Sequence, residues 1–170
     1  ISRLQAGAET LDCRQIDLSK MVIEICDLYR PVAEDKQLQL SVRTLGPVWA
    51  GIDKKMFQRV LANLLDNAVK FTPETGRVDV AAQFEGSDVV IRIKDTGPGI
   101  EPELQEKVFE RFYRGETSRS SKGTGLGLNF VRTIVMRHNG EVHVESEPGF
   151  GAEFVIRLPY RNLQVIPSSQ

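Results

Sequence analysis

The sequence predicts an α+β fold: a two-layer α/β sandwich in which about three helices cover one face of a mixed, largely antiparallel five-stranded sheet. Three observations lead there. The hydrophobic period runs helix, strands, helix, hairpin, helix, hairpin along the 170 residues. Most strands come in consecutive pairs joined by short turns, which makes them antiparallel neighbours. Each long helix has one apolar stripe, so the helices pack as a single layer against the sheet. A doubly wound fold needs strict strand–helix alternation, which is absent.

Each element has its own signal. "ISRLQAG" reads as the end of a helix stopping at Gly7. "DLSKMVIEICDLYR" places Leu18, Met21, Val22, Ile25 and Leu28 at helical spacing, with Asp17 as its cap and Pro31 expected to kink or end it. "LQLSVRT" alternates as a strand, and "PVWAGI" is a second, shorter one. Asp53 caps the long helix that contains "NLLDNAVKF" and ends near "TPETG". "RVDVAAQF" and "DVVIRIKD" form a hairpin across "EGSD", the second strand setting Val89, Ile91 and Ile93 on one face. "EPELQEKV" reads as a short acidic helix. "LGLNFVRTIVMRHNG" is a second long helix stopping at Asn139-Gly140. "EVHVESE" and "AEFVIRLP" make a closing hairpin across "PGFG", and the last ten residues read as a loose tail. Domain boundaries follow: 1–16 the end of a preceding helix and a linker, 17–160 one domain, 161–170 the tail.

Charge is balanced, 22 basic against 23 acidic residues, which gives no bulk electrostatic reason to bind nucleic acid. Cys13 and Cys26 stand apart without a CxxC or a nearby histidine, so they read as buried or neutral thiols of a reducing compartment. No apolar run approaches the roughly 20 residues of a membrane span. The chain opens without an initiator Met or a signal peptide and reads as an excised domain; a membrane-bound parent stays open.

Four stretches carry chemistry. In "NLLDNAVKF", Asn63, Asn67 and Lys70 fall within roughly 60° of one another on a helix, flanked by Arg59 and Asp66. Phe57, Leu61, Leu64, Leu65 and Ala68 take the opposite, core side. Asparagine is a poor helix former because its side chain competes for backbone hydrogen bonds, so two in register with a lysine suggest a site. In "DTGPGI", Asp95 ends a strand and Gly97 and Gly99 leave room for a ligand against the backbone. That pattern also suits a plain turn, but a carboxylate, acceptor-only, selects a donor such as the exocyclic amine of adenine. "SKGTGLGL" opens a helix with Gly123, Gly125 and Gly127, where backbone N–H groups and the positive dipole end suit phosphate; a flexible linker has the same composition. "RGETSRSSKG", residues 114–123, is basic and glycine-bounded, read either as a disordered loop or as a lid that orders on phosphate; Phe109, Phe112 and Tyr113 anchor its base.

In this order, "NLLDNAVKF", "DTGPGI", "VFERFYR" and "GTGLGL" resemble the N, G1, F and G2 boxes of the sensor histidine kinases, members of the GHKL superfamily with the Bergerat fold. That superfamily also holds gyrase-type topoisomerases, heat-shock chaperone ATPases and mismatch-repair ATPases. The resemblance spans roughly residues 17–158, and "ISRLQAG" is similar to the end of the preceding dimerisation and phosphoacceptor domain. It implies ATP and Mg²⁺ as ligands. Asn67 would be the metal ligand, with Asn63 close by through a water and Lys70 on the phosphates. Phe71 and Tyr113 would pack near the adenosine, and Asp95 would accept from adenine N6 in a pocket opened by Gly97, Gly99 and Ile100. Arg114, Arg119 and Lys122 would meet the terminal phosphates, while Gly123, Thr124, Gly125, Leu126 and Gly127 offer backbone donors. Asn63, Lys70 and Arg114 form the implied catalytic set.

The superfamily's ATPases carry a glutamate where this chain has Asn63, which cannot take a proton from water. Slow hydrolysis and transfer of the γ-phosphate to a histidine follow. Neither His138, at a helix end, nor His143, in a strand, is placed as a phosphoacceptor; both read as structural. The resemblance therefore implies an upstream phosphoacceptor helix, no autophosphorylation by this chain alone, relay to the receiver domain of a response regulator, a homodimeric parent and a cytoplasmic location. Two other readings remain: a degenerate nucleotide-binding or interaction module, and an anti-sigma-type serine kinase.

Overall fold

The computed structural model describes residues 10–115, 125 and 127–160. Seven strands and three α-helices follow in the order β1 (Cys13–Asp17), α1 (Leu18–Asp35), β2 (Gln39–Thr44), β3 (Trp49–Asp53), α2 (Lys54–Phe71), β4 (Arg77–Glu85), β5 (Asp88–Asp95), α3 (Gly127–Arg137), β6 (Glu141–Ser146) and β7 (Ala152–Pro159). The main sheet has the order β2-β4-β5-β7-β6, with β2 and β4 parallel and the other pairs antiparallel. This is the expected five-stranded mixed sheet. One face packs on the helices: Val78, Val80, Ile91, Ile93, Phe154 and Ile156 meet Leu18, Val22, Phe57, Leu61, Leu64, Val131 and Val135 in a single buried core. The other face is partly polar, with Arg92 and Arg157 bridging Glu85, Asp88 and Glu153, around the buried Val90 and Val155.

β3 does not join that sheet. It pairs antiparallel with β1, Cys13 opposite Asp53 and Asp17 opposite Trp49. β1, "CRQID", has no apolar alternation, so no local signal announces it; its pairing comes from β3 across the fold. Asp17 caps α1 as expected, accepting from the Ser19 and Lys20 N–H groups. It also accepts from the Val48 N–H at 3.3 Å, tying the helix start to the β3 approach.

Three expectations are corrected. Pro31 does not end α1, which runs through it to Asp35. Packing of Ala33 against Leu38 and Val69 holds the last turn. The reversal closes with Leu38 N–H on the Ala33 carbonyl (2.7 Å) and Gln37 N–H on the Glu34 carbonyl (2.9 Å), around Gln37 at φ 58°. Leu28 is exposed and Cys26 takes the buried place on that helix, while Cys13 is exposed on β1. "EPELQEKV" forms two three-residue 3-10 turns, Pro102–Leu104 and Lys107–Phe109, in place of an α-helix. Only Phe109 of these residues is buried, so no apolar stripe offsets the cost of nucleating a helix.

Candidate nucleotide site

α2 is capped by Asp53, whose carboxylate accepts from the Met56 N–H at 3.2 Å. Its leucines are buried, which turns the polar stripe outward: Asn63 and Asn67 are half-buried and Lys70 is exposed. The flanking residues are engaged elsewhere. Arg59 lies 4.1 Å over the Phe130 ring, and Asp66 accepts from the Tyr29 hydroxyl at 2.7 Å. The Asn63 amide nitrogen donates to the Arg59 carbonyl at 2.9 Å. Its amide oxygen is thereby turned to the start of α3, 3.0 Å from where a Cβ on Gly127 would stand. Lys70 lies 5.2 Å from the Phe71 ring centre.

At the end of α2, the Lys36 ammonium donates to the Val69 and Lys70 carbonyls at 2.7 and 3.0 Å, a cation at the negative end of the helix. The Phe71 carbonyl is 3.1 Å from where a Gly97 Cβ would be, so the glycine turn after β5 rests directly on this helix end. Asp95, only 7% exposed, points into that turn. Its Oδ1 accepts from the Gly97 N–H at 2.8 Å and the Ala152 N–H at 3.3 Å. Burial pushes its carboxyl above the usual range, and the two N–H donors oppose that in part. Both of these bonds fall on Oδ1, and Oδ2 takes part in neither.

The aromatic turn and the glycine loop also meet. The Phe112 N–H donates to the Gly125 carbonyl at 3.0 Å, and Phe112 takes φ 62° to make that bond. A Cβ on Gly125 would lie 2.9 Å from the Phe112 Cα and the Tyr113 oxygen, so only glycine passes there. Phe109 anchors the turn, edge-on to Phe154 with ring centres 6.0 Å apart. Its carbonyl accepts from the Asn129 amide at 3.2 Å. Tyr113 is half-buried, Arg114 exposed and Ile100 half-buried. Arg119, Lys122, Gly123, Thr124 and Leu126, with most of the proposed lid, lie outside the described residues.

Contacts therefore run from Asp95 and Gly97 to the end of α2, along α2 to Asn63, across to Gly127, and from Gly125 to Phe112 and Tyr113. The structure brings together Gly97 with Phe71, Asn63 with Gly127, and Gly125 with Phe112 and Tyr113, one contact or more from each of the four motifs. Lys36, Ala152, Ser146 and Gln105 complete the surroundings and carry no local sequence signal, because each acts through a partner 30 or more residues away. The two histidines stand apart from these contacts. His138 is buried, its Nε2 accepting from the Asp53 N–H (3.0 Å) and its Nδ1 donating to the Ile134 carbonyl (2.7 Å). His143 is exposed beside Glu145.

The donor set suits a particular cation. Among the described residues no group of three or more His, Cys, Asp or Glu side chains gathers to hold a metal. A cation beside α2 would draw on amide oxygen, phosphate and water, the ligands that hydrated Mg²⁺ accepts.

A buried carboxylate in a glycine turn packed on the end of an asparagine-bearing helix, with Asn63 facing the glycine that opens a further helix, fits a nucleotide-binding domain. The chain belongs to the histidine kinase-, DNA gyrase B- and HSP90-like ATPase family, whose profile matches residues 52–162. It is 39% identical to hybrid signal transduction histidine kinase D of Dictyostelium discoideum over 94% of this chain and 11% of that protein. It is 35% identical to sensor histidine kinase RppB of Synechocystis over 99% of this chain and 38% of that one. The chain thus spans well under half the length of these relatives. Among solved structures it resembles full-length ShkA in complex with AMPPNP, at 32% identity and a TM-score of 0.80, covering 94% of this chain and 34% of ShkA. No helix among the described residues is long and apolar enough to cross a membrane.

Proposed function

We propose that this domain holds Mg-ATP and passes the γ-phosphate to a histidine on helices that precede it in a longer sensor kinase, for relay to a response regulator. One observation carries the reading: the Gly97 backbone packs on the Phe71 carbonyl, joining the purine acceptor Asp95 to the helix of Asn63 and Asn67. Adenine would place its exocyclic amine on Asp95 Oδ2, with Gly97, Gly99 and Ile100 giving the ring access and Phe71 and Tyr113 beside the adenosine. The Asn67 amide oxygen would take one position on Mg²⁺, with phosphate oxygens and water filling the rest. Asn63 would hold one of those waters. Lys70 and Arg114 would neutralise phosphate charge, joined by Arg119 and Lys122, while backbone N–H groups from Gly123 to Gly127 would cradle the triphosphate.

The bound ion supplies charge neutralisation on the phosphates; the chain supplies orientation. Asn63 has no proton affinity at neutral pH, so no general base addresses a water at this position. The γ-phosphate then waits for a nucleophile, and neither His138, locked in the core, nor His143, exposed on the edge strand, is offered to it. The parent is proposed to be a homodimer with this domain in the cytoplasm.

The test joins the parent's upstream helices to this chain and supplies labelled ATP. Acid-labile phosphate on those helices, with none on this chain alone, is expected. Bound nucleotide with no label in either form would instead indicate a binding module, and acid-stable phosphoserine on a partner a serine kinase.

A further inference from the structure

The glycine turn that carries Asp95 has one bond of its own, from the Gly97 N–H to Asp95 Oδ1, and is otherwise held from outside. Gly99 sits at φ 78° with its Cα against the β6–β7 hairpin, where a Cβ would fall 2.6 Å from the Glu147 carbonyl oxygen. The Ser146 hydroxyl accepts from the Ile100 N–H at 2.8 Å and donates to the Gly151 carbonyl at 2.7 Å. The Gln105 amide donates to the Ile100 carbonyl at 3.2 Å and to the Ser146 carbonyl at 2.9 Å. The Gly149 N–H meets the Pro98 carbonyl at 2.8 Å, and the Ala152 N–H holds Asp95 Oδ1. Every peptide from Pro98 to Ile100 is thus gripped from outside, and the same hairpin aims the carboxylate.

We infer that Ser146 and Gln105 are positioning residues for purine recognition: they lock the 97–100 turn against the β6–β7 hairpin so that Asp95 Oδ2 and the Ile100 wall keep the spacing an adenine needs. This deepens the proposed function and rests on it. The geometry is specific to such a role. Ser146 uses its hydroxyl both as donor and as acceptor, linking the turn to the hairpin strand that leads into Ala152. Gln105 reaches the same two segments from the end of the first 3-10 turn, so three stretches of chain converge on one residue, Ile100. A loop that only needed folding would not require two side chains, one on the N–H and one on the carbonyl of Ile100. A base-binding loop does, because an orientation error of about 1 Å costs on the order of tenfold or more in a positioned interaction.

The test uses the full 170-residue chain and titrates Mg-ATP and Mg-GTP into the wild type, Ser146→Ala and Gln105→Met. Each variant is expected to weaken ATP about tenfold, GTP less than about threefold, and to shrink the ATP-to-GTP preference accordingly, with a thermal midpoint within a few degrees of wild type. Gln105 is half-buried on a short surface turn, so its variant answers the question even where Ser146→Ala unfolds. Folded variants with wild-type ATP affinity, or with ATP and GTP weakened equally, overturn the inference. A wild type that binds no ATP is a different result: it removes the nucleotide reading itself.

Discussion

At the scale of single residues, Asp95 pits stability against recognition. Its carboxyl is raised by burial, so its favourable contribution to the fold is present below the ordinary carboxylate value and is lost as pH rises through the folded value. At neutral pH the buried charge is a cost that the free domain bears. Asp95→Asn keeps an acceptor for the Gly97 and Ala152 N–H groups and removes the charge. The variant should melt higher than wild type at pH 7, and that gain should shrink as pH falls and the folded Asp95 takes up its proton. Its amide nitrogen would face the adenine amine donor to donor. Titration calorimetry should show ATP weakened by about one to two orders of magnitude, and equal weakening of GTP would remove the purine role. Asn67→Ala makes the complementary prediction: nucleotide binding loses its dependence on Mg²⁺, and an unchanged response to chelator would refute the metal role. These residues were legible in the sequence because their neighbours within a few positions give them away, an asparagine one helical turn from another and a carboxylate before two glycines. Ser146 and Lys36 were not legible, since a serine on a strand and a lysine after a helix have meaning only through a partner 46 or 33 positions distant.

At the scale of elements, α2 and α3 are set by what happens at their ends. Asp53, the last residue of β3, ties both to the segment before β1: it caps α2, accepts from the Asp12 N–H at 2.9 Å, and gives its own N–H to His138 just after α3. Burial holds the His138 imidazole below its usual pKa, opposed by the Ile134 carbonyl and the Asp53 charge, with Arg137 adding to the depression. A base depressed in the folded state contributes stability above its unfolded value, near 6.5, and that stability is lost as pH falls through the folded value. Wild type should therefore weaken as pH falls from about 7.5 through the unfolded value near 6.5 and on toward the lower folded value. His138→Phe leaves the Asp53 N–H unpaired and should cost about 1–3 kcal/mol at pH 7.5. Its stability should vary far less over the same range, so the two unfolding curves converge toward acid. Parallel curves would show that His138 does not titrate on unfolding. The lowered carboxyls of Asp17, Asp53 and Glu85 act below this window, near and under pH 4. Helix stops followed local chemistry: Asn139 takes φ 59° and Gly140 returns its N–H to the Val135 carbonyl, as the Asn-Gly pair signalled. Pro31 misled, because burial of Ala33 outweighs one missing hydrogen bond, a balance that no local window contains.

At the scale of the molecule, described parts of four motifs spread from residue 63 to residue 128 come near one another because the sheet and three helices share a single core. Paired turns and single-striped helices made the five-stranded sheet readable. The β1–β3 ribbon was hidden, since it depends on two short segments about 36 residues apart in sequence finding each other. That proximity makes the central claim concrete, and a crystal of this chain grown with Mg²⁺ and a non-hydrolysable ATP analogue tests it most directly. The account predicts the adenine amine within hydrogen-bond distance of Asp95 Oδ2 and the metal on the Asn67 amide oxygen, spanned by one nucleotide. A nucleotide that touches one of these side chains while the other faces a separate surface would contradict it.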